Sequence, residues 1–306
     1  MRQARKGVFL GLLVLLFILY LVGFCWSDEK KSATGRFSLK LTGGARYVSV
    51  GDMNKHLDSF NSLPNVGGEI APITNWSNDW ELELRMRLSS KVGLGIATSG
   101  FFNKWNQTSL FMFGGDAWIP EVVKFDIQYV FRPEIKSAMP LGLNLYCLLY
   151  SSSKLNLVVN AGTGWYTGKM TEHLVSYYLQ SDGGVYFGSR HWSVDNTFSL
   201  GFQGGFGAEY SITDELALVA EVQGRYARVG RLKGSMTHMI NSGREEEKGT
   251  LFYYRTTLGE VGPWYTELVV RRTAPEGGFV SIKDVREARL DLSGFALRIG
   301  LRLRLF

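Results

Sequence analysis

The residue pattern closest to a catalytic constellation is His191-Trp192-Ser193, followed by Asp195. Residues two apart on a β-strand share a face, so the imidazole of His191 and the hydroxyl of Ser193 would point the same way. A histidine beside a serine hydroxyl can activate it as a nucleophile. Asp195 joins that face only if the strand begins that early. A two-residue motif is weak, and a polar strand end is the simpler interpretation, so we predict no catalytic residue.

A second candidate is the charged run 244–248, Arg-Glu-Glu-Glu-Lys, which lies between two glycines. Clustered carboxylates can bind a divalent cation, but a solvated loop tip explains the run more simply. The four histidines are scattered along the chain. We therefore predict no metal site and no cofactor, and we predict that the chain is not an enzyme.

The third group consists of charged residues that alternate with large apolar ones, as Glu81 and Glu83 alternate with Leu82 and Leu84. If the leucine faces meet lipid, these charges point inward, where a buried charge persists only when it is paired and hydrogen-bonded. We expect an interlocked network with a structural role, and a gate or narrow polar path is the alternative. The predicted network comprises Glu81, Glu83, Arg85, Arg87, Glu209, Glu221, Arg225, Arg298, Arg302 and Arg304.

The elements that must position these charges are strands, because apolar residues recur at every second position rather than three and four apart. Eight segments show this period and predict an all-β, eight-stranded antiparallel up-and-down transmembrane β-barrel. They lie at about 36–50, 80–88, 92–97, 123–149, 155–166, 198–210, 216–225 and 297–305. Within 123–149, which is too long for one crossing, Pro133 and Pro140 are expected to mark where a loop extension gives way to the membrane strand.

The connections between these segments alternate between short and long. The short ones are Ser89–Lys91, Ser151–Ser153 and Thr213–Glu215, and the long ones span about 51–79, 103–122, 167–196 and 232–291. This asymmetry is typical of outer-membrane barrels, with the long loops extracellular. A soluble sandwich or lipocalin-like barrel would also alternate, with its apolar face inward. Strand-like pieces at Leu251–Thr256 and Trp264–Val270 leave a ten-stranded barrel open.

The first 27 residues resemble a secretory signal peptide. Arg2, Arg5 and Lys6 precede an apolar run from Val8 to Phe24, and cleavage is expected after Ser27. An uncleaved anchor is the alternative. The predicted outer-membrane β-barrel domain, with its long extracellular loops, then spans 28–306. Removing three cations lowers the formal net charge from +6 to +3, which is too mild to indicate a nucleic-acid partner.

The last strand resembles the assembly signal of outer-membrane barrels. The matching positions are Arg298, Gly300, Leu303 and Leu305, with Phe306 at the end and leucines where aromatics are usual. The chain is similar in its strands to the small eight-stranded barrels of the OmpA, OmpX and OmpW type. That resemblance implies a bacterial outer-membrane location, contact with outer-membrane lipid and lipopolysaccharide, and insertion by the barrel-assembly machinery.

Three functions therefore stay open. The leading one is a non-enzymatic barrel with a structural or surface-interaction role through its extracellular loops, whose ligand the sequence does not name. The second is a narrow pore or transporter for small or hydrophobic solutes. The third is a lipid-modifying enzyme, because His191 and Ser193 resemble in miniature the His-any-Ser constellation of outer-membrane lipid A deacylases.

Overall fold

A computed structural model describes most of the chain and consists almost entirely of antiparallel β-strands. The described residues are 36–63, 66–112, 125–180, 185–240, 243–257, 263–277 and 281–305. The predicted signal peptide and Phe306 lie outside this set. In the part of the chain that is described, no helix combines the length and the hydrophobicity needed to cross a bilayer.

The chain contains fifteen described strands and one described helix, α1 (Asp52–Phe60). The strands are β1 (Phe37–Val48), β2 (Val66–Gly68), β3 (Trp76–Arg87), β4 (Val92–Trp105), β5 (Thr108–Met112), β6 (Phe125–Ser151), β7 (Leu155–Gln180), β8 (Val185–Ser211), β9 (Leu216–Val229), β10 (Lys233–Ile240), β11 (Gly243–Thr257), β12 (Trp264–Arg271), β13 (Ile282–Glu287), β14 (Leu290–Asp291) and β15 (Gly294–Arg304).

Eight of these strands form a closed ring, each pairing antiparallel with its neighbours. The order around the ring is β1, β3, β4, β6, β7, β8, β9 and β15, and β15 pairs back with β1. The prediction of eight antiparallel strands is thereby confirmed as a closed ring. The ten-stranded alternative is wrong, because the two extra strand-like pieces form β11 and β12, which lie outside the ring.

Short turns close one end of the ring, which we call the short-turn end. The amide of Leu88 donates a hydrogen bond to the carbonyl oxygen of Val92, and the amide of Ile212 donates one to the carbonyl oxygen of Leu216. Serine and threonine hydroxyls accept further turn amides; Ser89 Oγ, for example, accepts from the amide of Val92 at 3.1 Å. These side chains satisfy backbone donors that the ladder leaves unpaired, which is why Ser and Thr recur in the turns.

Beyond the opposite end of the ring the sheet continues as a folded extension. β6, β7 and β8 have 27, 26 and 27 residues, and the far part of β8 pairs with β10, followed by β11 and β12. The segments 167–196 and 232–291, expected as loops, are therefore mostly strand. Alternation continues through them and maintains the pairing. Pro133 and Pro140 lie within continuous β6, and Pro140 falls where the β6–β7 register shifts.

An apolar cap fills the inside of this extension and lies above the ring interior. Met53, Leu57 and Phe60 of α1 are buried in it. They join buried residues of β6 and β12, including Phe131 and Leu268. The segment 51–79, also expected as a loop, thus contributes a helix that packs into the hydrophobic core of the protein.

The ring itself has the opposite distribution. Leu41, Leu301 and Ile299 on its outer face are 57%, 48% and 68% exposed, whereas Glu81 and Arg298 inside are 0% and 2% exposed. Folding therefore places charge inside the ring and leaves large aliphatic side chains outside it, the reverse of a soluble core. The side chains inside the ring are the charge network described next.

Candidate functional site

Two cations organise the interior of the ring at its centre. The Lys40 ammonium lies 2.9 Å from Glu81 and 2.8 Å from Glu221. The Arg298 guanidinium contacts the same two carboxylates, each at 2.9 Å, and also pairs with Asp79. Each carboxylate is thus shared by two cations on different strands. Such sharing satisfies the buried charges, which would otherwise be strongly destabilising.

A second tier lies nearer the short-turn end. Arg85 donates to Glu83 at 3.1 Å and to Glu209 at 2.9 Å, and Arg302 also pairs with Glu209. The Tyr146 hydroxyl bonds Glu83, and the Arg85 guanidinium stacks 3.6 Å from the centre of the Tyr146 ring. The interior is therefore filled by side chains that bond one another across the ring.

Of the ten residues predicted for the network, the structure brings seven into shared ion pairs. They are Glu81, Glu83, Arg85, Glu209, Glu221, Arg298 and Arg302. Arg225 lies instead over the ring of Tyr166, at 5.2 Å. Arg87 and Arg304 line a cavity at the short-turn end.

Sequence reasoning missed four members: Lys40, Arg46, Asp79 and Tyr146. Lys40 and Arg46 occupy the same inward-facing alternate positions of β1, and Asp79 has the same parity as Glu81. The period-two pattern could have found these three. Tyr146 carried no such signal, because its phenol acts here as a polar group within an otherwise apolar run.

A separate buried cluster joins α1 to the extension. His56 Nε2 lies 3.0 Å from a Glu172 carboxylate oxygen, and its Nδ1 lies 2.7 Å from the carbonyl oxygen of Thr266. Glu172 also accepts from Trp192 Nε1 at 3.2 Å and from Arg190 at 3.4 Å. The His56 ring thus lies between a carboxylate oxygen and a carbonyl oxygen, and these two acceptors favour its protonated form.

The pKa values of this pair agree with that geometry. Burial alone would lower the pKa of His56, but the carboxylate of Glu172 and its hydrogen bond outweigh burial and raise it above the ordinary 6.5. Burial would raise the pKa of Glu172, but His56 and Arg190 lower it below its usual value. Each partner therefore favours the charged form of the other.

A cleft of about 350 Å³ lies inside the extension beside this cluster. Tyr129, Tyr254 and Tyr265 line it together with Arg190 and Glu267, which pair at 3.0 Å. Burial, together with the charge of Glu267, raises the pKa of Tyr254 to about 12 and also raises the pKa of Tyr265. Both phenols stay protonated, so the cleft offers aromatic faces and hydroxyl donors to a ligand.

The motif His191-Ser193 lies on the outer face of β8, far along the extension. His191 is exposed and its ring packs edge-on against His173 at 5.7 Å. Across the described residues no hydrogen bond links His191 to Ser193 and no carboxylate pairs with His191. The run 244–248 lies in β11, not at a loop tip, and its glutamates line an open pocket with Arg271 and Arg272.

The predicted assembly-signal residues lie on β15 or follow it. Leu303 is exposed on the outer face, Leu305 follows the strand and is exposed, and Arg298 is the interior hub. Gly300 faces Thr42 of β1 across the seam that closes the ring.

A comparison with models of known protein families found no match for this chain, and a search of curated proteins found no significantly similar sequence. The resemblance to small outer-membrane barrels therefore stays a prediction from the strands and the last residues.

Proposed function

We propose that this chain is an outer-membrane β-barrel protein with a structural or surface-interaction role and no enzymatic activity. The observation that carries the proposal is the inverted distribution of the ring, with charges buried inside and leucines exposed outside. Burial of apolar surface is worth about 25 cal/mol per Å². A continuous band of exposed leucine is therefore unfavourable in water and favourable against lipid acyl chains.

Aromatic residues at the two ends of the ring support the same proposal. Trp76, Trp165 and Phe295 are exposed near the extension, and Tyr150 and Tyr210 are exposed near the short turns. Aromatic rings accumulate at both membrane–water interfaces. The signal peptide and the assembly signal that the sequence predicts agree with this proposal, and the lipid partners would be outer-membrane lipid and lipopolysaccharide.

The extension supports an interaction role. It contains the apolar cap and the tyrosine-lined cleft. The extension is therefore much longer than a simple connection, which needs roughly 2–6 residues. In the proposed orientation it projects from the cell surface. A pore or an enzyme is less well supported, since side chains fill the ring and His191 has no acidic partner in the described part of the chain.

Insertion of matched variants tests the membrane proposal. Leu84→Arg and Leu303→Arg place a cation on the outer face and should each weaken insertion by about 2–4 kcal/mol near the midplane. Ser38→Thr and Gln203→Asn, on the inner face, should have much smaller effects. Folding into vesicles, followed by urea titration, measures the difference. Equal tolerance of both sets, with full solubility without detergent, would contradict the proposal.

A further inference from the structure

The tyrosine-lined cleft of the extension lies between two parts of one folded sheet. Strands β8, β10, β11 and β12 follow one another in this sheet, so β12 is not a neighbour of β8. Glu267 of β12 nevertheless reaches Arg190 of β8, with 3.0 Å between the carboxylate oxygen and the guanidinium nitrogen. The sheet therefore folds back on itself, and the space inside the fold is the cleft of about 350 Å³. That volume lies within the roughly 300–1,000 Å³ typical of small-molecule sites.

Three tyrosine rings line this cleft. Tyr254 of β11 faces Glu267 across the β11–β12 pairing, and Tyr265, two residues before Glu267, shares its face of β12. Phe60 of α1 packs against Tyr265 and Tyr129, with 5.6 Å and 6.3 Å between the ring centres. Aromatic rings that are fixed in this way offer flat contact area and lose little side-chain entropy when a ligand binds.

The cleft also contains polar groups that can bond the hydroxyls of a ligand. Tyr254 and Tyr265 are only partly buried, and within the described chain their own hydroxyls have no hydrogen-bond partner. A phenol can both donate and accept a hydrogen bond. The side chains of Arg190 and Glu267, which are 17% and 14% exposed, add guanidinium donors and carboxylate acceptors. A ligand rich in hydroxyls can therefore be bonded from several sides.

The guanidinium and carboxylate groups that line the cleft are already paired, which disfavours a charged ligand. Arg190 contacts Glu172 at 3.4 Å as well as Glu267. Arg271 also lines the cleft and pairs with Glu247 at 3.2 Å. An anion would meet the charge of Glu267, and a cation would meet that of Arg190. A purely apolar ligand would desolvate their ion pair without replacing its hydrogen bonds to water. A neutral ligand with both hydroxyls and apolar faces avoids all three costs.

We propose that this cleft binds a neutral saccharide, either as a free mono- or disaccharide or as the end of a glycan. The faces of a pyranose ring consist mainly of C–H groups and its rim carries hydroxyls. Its faces can therefore stack on the tyrosine rings while its rim bonds the phenols and the Arg190–Glu267 pair. The inference rests on the surface-interaction role proposed above, for which it supplies the chemical class of the ligand.

A printed glycan array tests the assignment with the labelled full chain, folded in lauryldimethylamine oxide because that detergent has no sugar headgroup. The array carries neutral mono- and disaccharides, sialylated and sulphated glycans, and the bare linker. We expect binding to a subset of the neutral saccharides. Competition by the same sugar free in solution shows that the soluble sugar is sufficient, and binding without such competition assigns the site to the end of a linked glycan.

Tyrosine variants connect the binding to the cleft. Tyr254→Ala should weaken binding by about tenfold or more. Tyr254→Phe, which keeps the ring and removes the hydroxyl, should weaken it by about three- to tenfold. Tyr177→Ala is the matched control, because Tyr177 is exposed on β7 and does not line the cleft. It should bind as the intact chain does.

Failure of this inference and failure of the membrane proposal are distinguishable. Binding no stronger than to the bare linker, binding confined to the anionic glycans, or an equal loss in Tyr177→Ala would overturn the saccharide assignment. Circular dichroism of each variant, measured beforehand, restricts the comparison to folded protein, and Tyr254→Phe still decides the question if Tyr254→Ala does not fold. Vesicle insertion is measured separately. Binding without insertion would contradict only the membrane proposal, and insertion without binding would contradict only the saccharide site.

Discussion

At the residue scale, the interior of the ring depends on a few shared ions rather than on isolated pairs. Arg298 of β15 contacts Asp79 and Glu81 of β3 and Glu221 and Gln223 of β9, the last at 3.0 Å, and so links three strands of the ring. Removal of one member of such a set leaves its partners buried without compensation, which destabilises more than the net worth of the pair.

Arg298→Ala should therefore lower the free energy of unfolding by about 3–5 kcal/mol. Arg228→Ala is the control, since Arg228 is 46% exposed and pairs with Asp291 at only 3.6 Å; an exposed pair contributes about 0–1 kcal/mol. Urea titration of both variants in the same vesicles measures the two effects. Similar small losses would show that the interior pairs contribute little.

At the element scale, two features decide how strands and helix fit: the seam between β1 and β15, and the docking of α1. A β-carbon on Gly300 would overlap the carbonyl oxygen of Leu41 on β1, whereas one on Gly43 would lie 3.8 Å from its nearest neighbour. Gly300 therefore permits the close approach that closes the ring. This backbone role is additional to the assembly-signal role that the sequence predicts for it.

Gly300→Ala should reduce the yield of closed ring, and Gly43→Ala on the other side of the seam should leave it almost unchanged. The physical reason is steric, because the Gly300 substitution forces apart the backbones of β1 and β15, whose pairing closes the ring. The folded fraction after refolding into detergent, measured by circular dichroism and protease resistance, gives the comparison. Indistinguishable yields would contradict this role for Gly300.

The packing of α1 against the extension should weaken both at high pH and at low pH. The pKa of His56 is raised, so its contribution is complete below about pH 6.5 and is lost as pH rises through the folded-state pKa. The pKa of Glu172 is lowered, so its contribution holds above about pH 4.5 and is lost as pH falls through its folded-state value.

We therefore expect segment 51–79 to resist proteolysis best between about pH 4.5 and pH 6.5, where both contributions are complete, and to become more susceptible at higher and lower pH. His56→Gln should abolish the alkaline limb of that profile, because glutamine does not titrate. Cleavage rates measured across pH with proteases of different pH optima check this. An unchanged alkaline limb in His56→Gln would assign the pH dependence to another group.

The sequence predicts the ring far better than the extension, for a physical reason. Residues of the ring strands face inward and outward in turn. The order of polar and apolar residues therefore reveals both the strands and the face to which each residue belongs, as at Leu82, Glu83 and Leu84. The contact between His56 and Glu172 joins residues distant in the chain and has no local signal. The cleft and α1 depend on such long-range contacts, and therefore they emerge only from the folded chain.

At the scale of the whole molecule, two groups of side chains follow one another along the axis of the ring. Side chains of the charge network occupy its interior, and the apolar cap, with Met139 and Tyr166 near its base, lies above them. A small eight-stranded ring has an interior just wide enough for its own side chains, and water-filled porins need about 16–18 strands. The filled interior agrees with the structural role proposed for the ring.

In planar bilayers the intact protein should accordingly give no stable open-channel current. Glu83→Ala and Arg302→Ala each remove one member of the network and should permit small, flickering currents, since the remaining charges lose partners and draw in water. Single-channel recording of refolded protein makes the comparison. Large, steady ohmic steps from the intact protein would favour the narrow pore or transporter instead.

The central claim is that the leucine face of the ring contacts lipid. A nitroxide scan along β15 in vesicles tests it most directly, with single cysteines at Leu297, Ile299, Leu301 and Leu303 and at exposed Lys154 as a water-facing control, each introduced into a chain whose native cysteines are replaced by serine. We expect high accessibility to oxygen and low accessibility to a water-soluble nickel chelate at all four β15 positions, with the reverse at Lys154. Equal accessibility to the nickel chelate at the β15 positions and at Lys154 would contradict it.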